Sequence, residues 1–171
     1  MEFVEGCDFG EFRRYLSRLR QYTKEGELER LKRSLESGRS HLIVFRENSK
    51  IIGHAIWHES TTEEHSKGSP RDRIDRQILR GFMGKGKSFV ELHELWLVTR
   101  RRGRGYGKRF FDFFESYMQK KGHNEIVYYA FNPAAVGLCR GRGYREAYGV
   151  REAGPYGRGV TDHVFYIKLK K

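Results

Sequence analysis

Between residues 90 and 118 the chain sets an apolar strand, a loop of glycines and arginines, and an amphipathic helix in direct succession. Gly103, Gly105 and Gly107 let the backbone turn sharply and leave no Cβ to block a closely approaching group. A helix opening out of that loop turns its unpaired N–H groups and the positive end of its dipole back into it. Such a helix start suits a phosphate or pyrophosphate. Six of the ten residues 100–109 are Lys or Arg, which adds formal charge to the partial charge. The glycines follow GxGxG, not the GxGxxG of a dinucleotide fingerprint, and Lys108 is followed by Arg109 where a Walker loop needs Ser or Thr. The stretch is single and lies between two strongly patterned elements, unlike a disordered RNA-binding tail.

The strand before the loop carries the titratable groups. Period-two alternation places Glu91, His93 and Leu95 on one face and Leu92, Glu94 and Trp96 on the other.

These residues carry a family resemblance. Arg102-Gly103-Arg104-Gly105-Tyr106-Gly107 resembles the Arg/Gln-x-x-Gly-x-Gly/Ala signature of the GNAT family of N-acetyltransferases, whose loop amides hold the pyrophosphate of acetyl-coenzyme A. Downstream, Asn132-Pro133-Ala134-Ala135-Val136-Gly137-Leu138-Cys139-Arg140-Gly141-Arg142-Gly143-Tyr144 is similar, position by position, to the family's second motif, Asn-x-x-Ala-x-x-Leu-Tyr-x-x-x-Gly-Phe. It departs twice, with Cys139 where Tyr is usual and Tyr144 where Phe is commonest. The two motifs cover about residues 89–146, in the family's order and at its separation.

The resemblance implies acetyl transfer from acetyl-CoA to an amine by direct attack in a ternary complex. The cofactor falls to Arg102, Gly103, Arg104, Gly105, Tyr106, Gly107 and Lys108, with Asn132 as a cofactor- or water-binding amide that also caps a helix. The strand before the loop is expected to splay from its parallel neighbour, opening a slot for the pantetheine arm. A backbone N–H at Leu97, Val98 or Thr99 polarises the thioester. The base falls at His93, or at Glu94 if a bulge swaps the faces of the strand, and Glu91 is placed to share a water with His93. A His flanked by two Glu also reads as a salt-bridged surface group. Where the family's Tyr protonates the departing thiolate, Cys139 offers a thiol with a reference pKa of about 8.5, or packs as a small hydrophobe. The accepted amine, on a small molecule or a protein, is not written in any motif. Residues 59–88 with Tyr128, Tyr129 and Phe131 are its expected pocket, and their aromatic and basic groups favour an acidic or planar acceptor.

The elements that must position these residues follow from pattern. Asp8 and Glu11 form a capping box before a helix bearing Phe12, Tyr15, Leu16 and Leu19. A second helix spans 26–35. Strands at 41–46 and 51–57 are joined by Glu47-Asn48-Ser49-Lys50, a hairpin signal. Residues 59–88 read as a polar insertion holding a short helix at 73–82. A strand at 89–98, a helix at 106–120, a strand at 125–131, a helix at 134–140 and strands at 144–150 and 163–169 complete the chain, the last two split by a glycine-rich turn at 154–159. The order β-α-α-β-β-β-α-β-α-β-β predicts an α/β fold, a mixed sheet of six to seven strands with helices on both faces.

At 171 residues the chain reads as a single domain covering 1–171. No apolar run suits a membrane span, and the first residues lack the regions of a signal peptide. Two cysteines, Cys7 and Cys139, frame neither a disulfide scaffold nor a metal site, which points to the cytoplasm. The net charge of +12 is uneven: residues 1–38 are neutral, whereas residues 99–171 carry 16 basic against 6 acidic side chains. A polyanionic cofactor explains part of that excess. A basic nucleic-acid-binding module and a catalytically silent acyl-CoA sensor are the alternatives, and a homodimer is left open.

Overall fold

The computed structural model describes residues 1–65, 67, 72–151 and 161–170. The chain begins with β1 (Glu2–Glu5), α1 (Phe9–Leu19) and α2 (Glu27–Glu36). Asp8 caps α1, its side chain accepting the Glu11 N–H at 2.8 Å. Glu11 does not close the box; its carboxylate instead takes both terminal nitrogens of Arg46, at 2.8 and 2.6 Å, a charge-assisted fork stronger than a bond back to a backbone amide.

β2 (His41–Glu47) and β3 (Lys50–Thr61) form the expected hairpin. Its two turn residues, Asn48 and Ser49, have φ of 48° and 62°, as a two-residue turn that matches strand twist requires. The predicted insertion contains α3 (Asp72–Met83). β4 (Ser88–Leu97) leads through a 3-10 turn (Thr99–Arg101) to α4 (Tyr106–Lys120), followed by β5 (Glu125–Ala130), α5 (Pro133–Gly141), β6 (Arg145–Arg151) and β7 (Thr161–Lys168). The glycine-rich turn expected at 154–159 lies outside the described residues. No described helix is long and apolar enough to cross a membrane.

The strands make one mixed seven-stranded sheet in the order β1-β2-β3-β4-β5-β7-β6. β1 pairs β2 and β2 pairs β3 antiparallel, β5 runs parallel to β4, and β7 pairs antiparallel with both β5 and β6. The parallel ladder sets Val90, Glu91 and Leu92 opposite Ile126, Val127 and Tyr128.

The chain forms two compact units, Met1–His58 with His93–Phe110, and Glu59–Leu92 with Phe111–Lys171. In the first, Phe12, Tyr15 and Leu16 of α1 and Leu31 of α2 cluster with Leu42, Val44 and Ile56. Phe45, on the opposite face of β2 by alternation, meets Phe3 and Phe110 at ring distances of 5.2 and 4.9 Å. In the second, Leu79 of α3 joins Phe89, Val127, Tyr148, Val164 and Tyr166. Phe111 there stands edge-on to Tyr128 and Tyr144 at 5.3 and 5.7 Å. Phe110, Phe111 and Phe114 of α4 are core, as their spacing predicts, whereas Phe113 and Tyr117, half-buried, stack on each other.

Candidate active site

β4 stops where the chain tightens into the 3-10 turn, and the amides there divide by direction. Val98 N–H donates to Ile52 O of β3 at 2.9 Å. Adjacent strand amides point to opposite sides, so Leu97 N–H is turned away from β3, and the parallel ladder ends well before it. Gly103 and Gly105 follow with φ of 74° and 75°, the left-handed region that strains any side chain with a Cβ. Apart from their chain neighbours, no described atom lies within 4 Å of where their Cβ atoms would stand. Arg109 N–H reaches Gly105 O at 3.1 Å; Tyr106, Gly107 and Lys108 come earlier in the helix, and their N–H groups find no backbone acceptor among the described residues.

Side chains hold this turn in place. Arg102 Nε donates to Leu97 O at 3.1 Å, and its guanidinium lies 5.0 Å over the Trp96 ring. Glu47, at the end of β2, accepts the Tyr106 hydroxyl at 2.9 Å and pairs with Arg101. The result is an exposed, cationic turn with unclaimed amides, a seat for an anion.

Glu94 is the centre of a polar network in the same unit. Its Oε1 meets His54 Nε2 at 2.8 Å, and its Oε2 accepts the Tyr22 hydroxyl. His54 Nδ1 lies 3.1 Å from the Tyr15 hydroxyl. Burial works against the charge on Glu94, but the bond and charge of His54, the Tyr22 hydroxyl and the nearby His93 outweigh it and hold the carboxyl below its usual range. Burial, then the Glu94 charge, pushes the Tyr15 hydroxyl far above an ordinary phenol.

His93 is exposed, 6.2 Å ring to ring from His58. Both line a cavity of 690 Å³ with Tyr22, Leu31, Ile56 and the polar side of α2. His54, Ile56 and His58 share one face of β3 by period two, and both His93 and Glu94 turn toward that face. Strict alternation would send only one of them there. A bulge would bring both to it, and that is the condition under which the sequence brings Glu94 into consideration beside His93.

In the second unit, Glu91 is buried with Oε2 3.3 Å from His65 Nδ1. His65 Nε2 meets the Tyr148 hydroxyl at 2.7 Å, and the Tyr129 hydroxyl lies 3.3 Å from the same nitrogen. The carboxylate that the sequence pairs with His93 therefore faces a buried histidine from the stretch before α3. Cys139 is fully buried in α5, and burial, only partly offset by Arg142, pushes its thiol up to about 12. Arg142 forks onto Glu115, with Nε and a terminal nitrogen at 2.9 and 2.7 Å, and Tyr144 donates to Glu115 at 3.2 Å. Asn132 Oδ1 accepts Ala134 N–H at 2.9 Å and so caps α5, with Pro133 at the first helical position. Tyr128, expected at the acceptor pocket, is instead buried against Phe111; Phe131 is exposed.

Five polar residues of these networks escape the sequence reading: Tyr22, His54, His65, Glu115 and Tyr148. His54 had the clearest signal, one imidazole inside the otherwise apolar run Ile51-Ile52-Gly53-His54-Ala55-Ile56-Trp57. Tyr15 does appear there, but as one of the apolar positions of a helix. Tyr22 and His65 lie in polar surroundings with nothing to distinguish them.

Residues 11–144 match the model of a family described as the acetyltransferase (GNAT) family. Among solved structures, a polyamine N-acetyltransferase of Drosophila melanogaster superposes with a TM-score of 0.67 at 14% identity, over 98% of this chain and 100% of that one. The NAA60 protein of Arabidopsis thaliana, in complex with a bisubstrate analogue, gives 0.68 at 14% identity, covering 99% of each chain. The NatC complex bound to Gag peptide and CoA gives 0.64 at 14% identity, over 99% of this chain and 100% of that one. No curated protein sequence matches the chain.

Proposed function

The chain belongs to the acetyltransferase (GNAT) family, and from that premise we propose that it transfers the acetyl group of acetyl-CoA to an amine by direct attack in a ternary complex. The observation that carries the reading is the turn opening α4. Two left-handed glycines with clear space beside them, first-turn amides without acceptors and flanking arginines fit a pyrophosphate. Arg102, Gly103, Arg104, Gly105, Tyr106, Gly107 and Lys108 hold it in this reading, and Leu97 N–H, free of β3, donates to the acyl carbonyl. Acetyl-CoA when bound supplies an acyl group on a good leaving group.

The remaining work belongs to side chains. Glu94 is ionised and has both oxygens engaged, so it attracts and orients the incoming ammonium more readily than it accepts a proton. His93 is exposed in the cavity beside it and takes the proton that the amine releases; the Glu94 charge stabilises the imidazolium formed. Cys139 is a packing residue, its proton held too tightly for an acid. Asn132 caps α5 and presents its amide nitrogen to the cofactor or a water.

Calorimetric titration with acetyl-CoA, wild type beside Gly105→Glu, tests the reading. Micromolar binding that the variant loses is expected, followed by thiol release on adding amines. A wild type that binds no acetyl-CoA at low salt would sink the proposal, and binding of random-sequence RNA would then be measured.

A further inference from the structure

We infer that the acceptor of this enzyme is a small amine carrying a carboxylate or phosphate, gripped by Arg30, Arg33 and Arg39 at the rim of the 690 Å³ cavity; this rests on the N-acetyltransferase reading above. The cavity has two chemically distinct parts. Its sheet side presents His93 and His58, with Tyr22 joining it to Glu94. Its rim presents three exposed arginines from α2 and the turn after it, against a single carboxylate, Glu27. Glu27 already accepts the Lys24 N–H at 3.0 Å.

None of the three guanidiniums has a carboxylate partner among the described residues. Arg39 donates only to the Ser37 hydroxyl, at 3.2 Å. Arg46, Arg80, Arg101 and Arg142, by contrast, each pair with a glutamate. Arg30 and Arg33 are neighbours on one helix face, a like-charge spacing that weakens a helix unless an anion relieves it. A guanidinium fork matches a carboxylate or phosphate oxygen pair, while three like charges repel a second ammonium. The carboxylate of Glu94 and the arginines of the rim therefore suit opposite ends of one molecule: the amine is drawn inward and the anion stays at the rim.

The test uses four amines of one length with the full chain: butylamine, 1,4-diaminobutane, 4-aminobutyrate and 3-aminopropyl phosphate. Binding to coenzyme A-saturated protein is read by calorimetry, and kcat and KM by thiol release. One anionic amine is expected to bind about 10-fold or more tighter than butylamine, as one or two charge-assisted hydrogen bonds would give. The carboxylate and phosphate arms tell which anion is meant. An Arg30→Ala/Arg33→Ala variant is expected to raise KM for that amine about 10-fold with the acetyl-CoA Kd unmoved, and Arg30→Glu/Arg33→Glu to turn the preference toward the diamine. Both positions are exposed on α2, so folding is not at stake. Equal or weaker binding of both anionic amines than of butylamine, absence of binding by either at about 10 mM, or a KM indifferent to the arginines would each overturn the inference. Failure of wild type to bind acetyl-CoA would instead overturn the transferase reading.

Discussion

Glu94 shows why a residue's neighbours, and not its type, decide its chemistry. Burial alone would raise its pKa, yet two hydrogen-bond donors and two imidazoles bring the balance below the usual carboxylate range. Since the folded value is the lower one, the stabilisation is present above the unfolded pKa of about 4.3 and is lost as pH falls through the folded value. Glu94→Gln is therefore expected to remove that part of the acid limb when urea midpoints are compared across pH. In the same variant kcat should fall about 10²-fold with the acetyl-CoA Kd unchanged; a kcat within twofold of wild type would remove Glu94 from the mechanism. Cys139 makes the complementary case. With its thiol fully buried and pushed up to about 12, Cys139→Ala is expected to keep kcat while lowering the melting temperature. A tenfold or larger loss of kcat in a folded Cys139→Ala protein would restore it as the acid.

At the level of elements, the end of β4 depends on how closely β3 approaches it. A Cβ on Gly53 would stand 2.5 Å from Phe45 Cδ2 and 2.6 Å from the Trp96 carbonyl. Phe45 is wedged against Phe110, and Trp96 is backbone of the strand itself, so neither can yield cheaply. Gly53→Ala is expected to cost about 1–3 kcal/mol in thermal or urea unfolding and to raise KM for acetyl-CoA, because Val98 and the turn after it follow that strand edge. A Gly53→Ala protein as stable as wild type would show that the approach is looser than the structure has it. The elements themselves were largely legible: α4 runs over the residues that its apolar spacing marks, and Asn132 caps α5 where a helix start was read. Such features depend on residues within a turn or two of each other, which is what periodicity and capping report.

For the molecule as a whole, the charge placement is a kinetic statement. Ten of the twelve net positive charges fall in residues 99–171, the part that contains the turn proposed to hold the cofactor's phosphates. Long-range steering of a polyanion is screened by salt. Stopped-flow association of acetyl-CoA is expected to slow by about 10-fold as ionic strength rises from roughly 20 to 300 mM, with dissociation changing less. An association rate flat across that range would mean that the excess charge serves another partner.

The sequence by itself determined the mixed α/β architecture, the glycine–arginine turn and the second motif, because each is written in a contiguous run whose spacing is its meaning. Only the tertiary structure decided the surroundings of Glu94. Tyr22, His54 and Glu94 lie on three separate elements or loops, far apart along the chain, and they meet through the pairing of neighbouring strands and the approach of α1. The same holds for His65 and Glu91, and for the arginines of α2 that rim a cavity whose floor is β3 and β4. Local patterns carry no information about which distant side chains fill the space beside them; that is set by packing and register, where moving one residue along a strand exchanges one face for the other.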